Sequence, residues 1–140
     1  MESSDQPMRP SSPGAINSIR LLAHGRKVQS IAAGTPIFQA GDCGASMFAV
    51  LEGAVRLEWG DGRHYETFGP GEHFGVGALV EPEHRRFGTA IATEETRLVE
   101  MNREEFLFAL QELPMFGLEM LHSLEERLRH LKQVLDGHAD

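Results

Sequence analysis

The residues with the clearest chemical potential lie between positions 74 and 90. Phe74-Gly75-Val76-Gly77-Ala78-Leu79 is followed by a short charged insert and then by Arg86-Phe87-Gly88-Thr89-Ala90. Glycine and alanine let backbone N–H groups come close to an anion, because no bulky side chain stands in the way. The pattern predicts a glycine-flanked turn opening a short helix, whose N-terminus adds partial positive charge. Arg86, just ahead of a new strand, would close the far side, since a guanidinium presents a fork of donors to phosphate oxygens. This spacing suits the gripping of one phosphate group. The competing role for Arg86 is a structural ion pair with Glu81, Glu83 or Glu94.

Other chemistries find less support. Ser46 and Ser123 have no histidine–carboxylate arrangement visible in sequence, and His122 beside Ser123 diverges from it on a helix. A metal-dependent cupin enzyme on a similar small barrel would show a close His-x-His pair, a following glutamate and a later histidine. Here His64 and His73 are isolated; His64 reads as a residue after a turn and His73 as a satisfied strand residue. Neither the seven histidines nor Cys43 has a spacing that selects an axial haem pair. No enzymatic activity, metal or cofactor is therefore expected.

Composition narrows the partners. A formal net charge of −8 argues against nucleic acid, whose phosphates demand a basic face. Cys43 is the sole cysteine and reads as a free thiol in a turn, so a reducing cytoplasm fits best. No membrane span or secretory signal is visible. At 140 residues the chain supports one domain and leaves no room for a DNA-reading module behind it. Residues 1–14, rich in serine and proline, read as a disordered lead-in, residues 15–136 as the domain, and 137–140 as a frayed tail.

The elements that must position the phosphate segment are mostly strands. A short helix over 16–22, ending near Gly25, leads into runs at 28–31, 36–38, 47–51, 55–59 and 65–68, separated by glycine turns. Val55, Leu57 and Trp59 alternate with Arg56 and Glu58, the period of a strand with one wet face. Gly60-Asp61-Gly62 signals a hairpin. Runs at 89–92 and 96–101 follow, so many short strands point to a small barrel or jelly roll. Asn102 with Glu105 forms a capping-box pattern starting a helix over 103–113, and Pro114 can open another over 114–135.

That last helix carries Leu121, Leu124, Leu128, Leu131 and Leu135 at steps of three and four, with charged neighbours Glu125, Glu126, Arg127, Arg129 and Lys132. Such a narrow seam suits a parallel coiled-coil contact with a second copy. The alternative is that the stripe packs on the barrel.

The segment Gly71-Glu72-x-Phe74-Gly75-x-x-Ala78-Leu79 … Arg86-x-x-Thr89 resembles the phosphate-binding cassette of the cyclic nucleotide-binding domain family. Upstream, the stretch Ala33-Gly34-Thr35-Pro36-Ile37-Phe38-Gln39-Ala40-Gly41-Asp42 and the later Gly53 agree with it. The resemblance implies a mainly β fold, a roll of about eight strands with an N-terminal helix, a cassette helix and two C-terminal helices. It implies a cyclic nucleotide such as cyclic AMP or cyclic GMP as ligand. Gly75, Gly77 and Ala78 would offer N–H donors, Arg86 would pair with the phosphate, and Phe87 and Gly88 would add backbone contacts. The stretch 130–133, including Leu131 and Lys132, would approach the base from the same or a partner chain. The departures are Val76, where the family has a glutamate that accepts from the ribose 2′-hydroxyl, and Phe87, where it has a small residue. The implied role is a regulatory sensor acting on a dimer mate or a separate effector protein. The alternative is a degenerate domain that no longer binds nucleotide and serves for docking.

Overall fold

The computed structural model describes residues 15–24 and 26–137. The expected disordered lead-in over 1–14, the helix stop at Gly25 and positions 138–140 of the expected tail lie outside the described residues. Helix α1 (Ile19–Ala23) precedes β1 (Val28–Ile31), β2 (Pro36–Phe38), β3 (Ser46–Glu52), β4 (Val55–Trp59), β5 (His64–Phe68) and β6 (His73–Phe74). Then follow α2 (Gly77–Val80), β7 (Thr89–Ala92), β8 (Thr96–Asn102), α3 (Arg103–Glu112) and α4 (Pro114–Leu135). The described strands form two four-stranded antiparallel sheets, ordered β1-β8-β3-β6 and β2-β7-β4-β5. This is the expected mainly β roll with flanking helices.

Strand β3 is apolar without a break because both of its faces are covered. Phe48 and Val50 point between the sheets, where they meet Val55, Phe68, Phe74, Ala90 and Leu98. Met47 and Ala49 point the opposite way, into a second cluster with Ile16, Ile19, Leu79, Met101, Phe116 and Met120 under the helices. Each buried Val, Leu, Ile, Met or Phe side chain contributes about 1.5–3 kcal/mol, so the sheet is clamped from both sides. On β4 the wet face pairs Arg56 Nε with Glu58 Oε2 at 2.9 Å. The β4–β5 hairpin closes at Trp59 and His64, and Gly60, Asp61 and Gly62 all take positive φ, a run only glycine and aspartate accept readily.

The capping box at α3 is formed: the Glu105 N–H donates to Asn102 Oδ1 and the Asn102 N–H donates to Glu105 Oε1, both at 2.8 Å. Helix α4 buries Phe116, Met120 and Ser123 on one face. The leucine seam lies about a quarter of a turn round from that face. Leu121 is 65% and Leu135 88% exposed, Leu128 and Leu131 are exposed too, and only Leu124 is half-buried. The seam therefore does not pack on the barrel. Among the described residues no helix is long and apolar enough to cross a membrane.

Candidate ligand-binding site

Gly75 has φ +84°, and a Cβ there would stand 2.9 Å from Arg86 Nη1. The glycine thus supplies both the turn and the room for the arginine. Gly44 does the same from the other side, since a Cβ on it would come 2.3 Å from Arg86 Nε. In this slot Arg86 Nη1 donates to the Gly75 carbonyl (2.9 Å) and Nη2 to the Ser46 carbonyl (2.7 Å). Its flat face lies 4.1 Å from the centroid of the Phe38 ring. The backbone is fixed as well: the Arg86 N–H donates to the Asp42 carbonyl, and the Gly41 N–H donates to that of Arg86.

Arg86 is only 7% exposed, yet it forms no ion pair within 4.0 Å among the described residues. The alternative partners Glu81, Glu83 and Glu94 do not reach it. Burial lowers its pKa, partly offset by the more distant Glu100 and Asp42, but a guanidinium stays charged at any physiological pH. A cation held this way, oriented by two neutral carbonyls and with no carboxylate in contact among the described residues, favours an anion at its open edge.

Around it opens a cleft of about 590 Å³. Gly75, Val76, Gly77, Ala78, Arg86, Phe87 and Gly88 line it together, as the sequence implied. Leu79 does not; its side chain is buried in the cluster under the helices. The N–H groups of Val76 and Gly77 have no hydrogen-bond partner among the described residues, whereas the Ala78 N–H donates to the Gly75 carbonyl (3.2 Å). Helix α2 has four residues, too few to contribute much of the expected helix charge, so N–H groups and guanidinium dominate. Val76 lines the cleft and also leans on the cluster under the helices, an apolar wall where a carboxylate was implied.

Phe87 turns out of the core. It is 75% exposed, and its ring sits 5.7 Å from Trp59, which stacks on His64 at 5.9 Å. Gly88 must be glycine, because a Cβ would meet the Glu58 carbonyl oxygen at 2.4 Å.

Phe38, Leu57, Glu81 and Arg127, which the sequence did not assign to the site, line the cleft too, as does Arg85. Arg85 Nη1 donates to the Gly41 carbonyl (2.9 Å). Arg127 comes from α4, where it continues the inward spacing of Phe116, Met120 and Ser123, a signal hidden by grouping it with the charged flanks of the leucine seam. Its Cζ lies 4.5 Å from the Phe68 ring centroid, and its Nη2 is shut off from solvent without a hydrogen bond among the described residues. Burial lowers its pKa, countered by Glu66 and Glu72. His130 and Leu131 face a second cleft of about 570 Å³ between β5 and α4, which adjoins the first at Arg127. Lys132 lines neither. Within one chain, the cassette and the expected base contacts Leu131 and Lys132 are not brought together.

His73 departs from its expected satisfied state. It is fully buried on β6, and both ring nitrogens lack hydrogen-bond partners among the described residues. No three His, Cys, Asp or Glu side chains group as a metal would require among the described residues.

Comparison with known proteins agrees with this geometry. Residues 28–112 match the family model described as the cyclic nucleotide-binding domain. The cyclic AMP receptor protein of Thermus thermophilus is 36% identical over 107 residues, covering 74% of this chain and 49% of that protein. The chain thus spans about half the length of that relative. The solved catabolite activator protein of the same organism superposes with a TM-score of 0.69 at 31% identity, covering 85% of this chain and 57% of that one. A structure solved for a cyclic-GMP-dependent signalling pathway regulating bacterial phytopathogenesis matches with a TM-score of 0.70 and 28% identity, covering 81% of this chain and 95% of that one.

Proposed function

The chain belongs to the cyclic nucleotide-binding domain family, and from that premise we propose that it is a regulatory sensor for a cyclic nucleotide or related phosphate ligand. The observation that carries this reading is Arg86, held in place by two carbonyls beside N–H groups that are unpaired among the described residues, with no carboxylate there in ion-pair contact. The phosphate sits against Arg86 and the Val76 and Gly77 N–H groups. Ligand binding differs between poses of α4, which carries Arg127 into the cleft, and so shifts the helix population. Calorimetric titration with cyclic AMP and cyclic GMP tests it. Absence of heat and of any rise in melting temperature at millimolar ligand sinks the reading.

A degenerate docking module is the second reading, favoured by the apolar Val76 wall. Without an acceptor for the ribose hydroxyl, a nucleotide binds weaker by roughly ten- to a hundredfold. Val76→Glu is accordingly expected to tighten cyclic GMP by about tenfold, since Arg127 lines the same cleft and can balance the new charge. Weaker binding in that variant means the wall has been rebuilt for another ligand.

The exposed seam of α4 takes a second copy of this chain in a parallel coiled coil. Leu128→Glu places like charges face to face in that contact. It is expected to shift the protein to monomer in sedimentation at micromolar concentration while leaving the melting of the roll nearly unchanged. A wild-type protein already monomeric at high concentration removes the proposal.

A further inference from the structure

The parts of the anion site lie on separate stretches of chain. The Val76 and Gly77 N–H groups stand at the start of α2, Gly44 walls the slot, and Arg86 fills it. Donors that are to grip one phosphate together must be held to within about 0.5 Å of their places. One residue of the charged insert ties them to each other. His84 takes φ +56°, the left-handed region that residues other than glycine rarely enter, so the loop is strained there. In that pose its Nδ1 lies 2.7 Å from the Ala78 carbonyl oxygen. A carbonyl only accepts, so Nδ1 carries the proton and donates it. Helical spacing would offer that carbonyl the N–H of position 82, but Pro82 has none. The imidazole thus closes the end of α2. The backbone of the same residue makes two further bonds: its N–H donates to the Glu81 carbonyl (3.1 Å), and its carbonyl accepts from the Gly44 N–H (2.7 Å). Gly44 is the residue whose missing Cβ makes room for Arg86. His84 itself is exposed and does not line the cleft, so its influence on a ligand passes through these bonds.

We propose that His84 is a positioning residue for the anion site. Its left-handed backbone and its Nδ1–H bond set the distance of α2 from Gly44, and hence of the Val76 and Gly77 N–H groups from Arg86. This rests on the sensor reading above and names what tunes the affinity of that site.

Calorimetry with cyclic GMP and cyclic AMP on three variants tests it. Asparagine tolerates the left-handed region, and its amide nitrogen stands close to the place of Nδ1. His84→Asn should therefore recover affinity to within about twofold of wild type. His84→Gly keeps the backbone and loses the donor, and should bind about fivefold weaker. His84→Ala loses both, and should bind about thirtyfold weaker. Melting temperatures should stay close to wild type, because the residue is exposed. In the ligand-free protein, amide exchange at Gly44 should quicken in the order Asn, Gly, Ala. Unchanged affinity in His84→Ala overturns the proposal and leaves the sensor reading standing. Equal weakening by all three variants overturns it as well, since the imidazole would then matter for itself. Unaltered Gly44 exchange in His84→Ala has the same force. No binding of either nucleotide by the wild type removes the sensor reading and this inference together.

Discussion

Arg86→Ala is expected to weaken any phosphate ligand by about 2–4 kcal/mol, thirtyfold to nearly a thousandfold, because it deletes a charge-assisted fork at a site with no substitute. Arg85 is exposed and spends one donor on the Gly41 carbonyl, and Arg127 lies on the opposite wall, so neither can replace it. The same change also leaves the Gly75 and Ser46 carbonyls without their donors and bares the Phe38 ring, so some loss of stability accompanies it. Affinity is therefore measured below the melting temperature of the variant. Gly44→Ala offers an independent route: the added methyl collides with Arg86 Nε and shifts the guanidinium while keeping its charge. Both variants should lose affinity. A folded Arg86→Ala protein that binds as well as wild type places the ligand elsewhere.

The fold was legible because its elements announce themselves by contrast. Strand β4 shows a clean alternation, the β4–β5 turn needs Gly60 and Gly62 for its positive φ values, and Asn102 with Glu105 marks a helix start by reciprocal hydrogen bonds. The core of the site was legible for a similar reason, since small residues beside an arginine leave few other uses. What stayed hidden depends on distance along the chain. Gly44 is needed only because Arg86, forty-two positions later, folds across it. Arg127 shares a heptad with solvated charges, and only the packing of α4 turns it inward. Phe87 could have pointed into the core or out of it; Trp59, on a neighbouring strand, supplies the surface that draws it outward. Leu131 and Lys132 rest on the family resemblance alone, which left open whether the same chain or a partner brings them to the base.

His73 leads to the second large effect, on stability against pH. Burial, with a smaller contribution from the Arg127 charge, lowers its pKa from 6.5 to about 3. In the unfolded chain the imidazole takes up its proton near its ordinary pKa, while the folded protein refuses it until far more acid conditions. The stabilisation is complete above pH 6.5 and is lost progressively as the pH falls toward 3. At pH 5 the loss amounts to about 2 kcal/mol, a large share of the stability of a small domain. Denaturant midpoints at pH 7.5 and pH 5 measure it, with His73→Leu as the reference, since all other titrating groups are common to both proteins. The wild type should lose about 2 kcal/mol more than the variant between those conditions. Equal losses would mean that the buried imidazole accepts a proton in the folded state, with β6 or α4 yielding to admit water. Because Arg127 contributes to the lowered pKa, an anion bound beside that guanidinium should ease the protonation of His73, tying acid sensitivity to occupancy of the cleft.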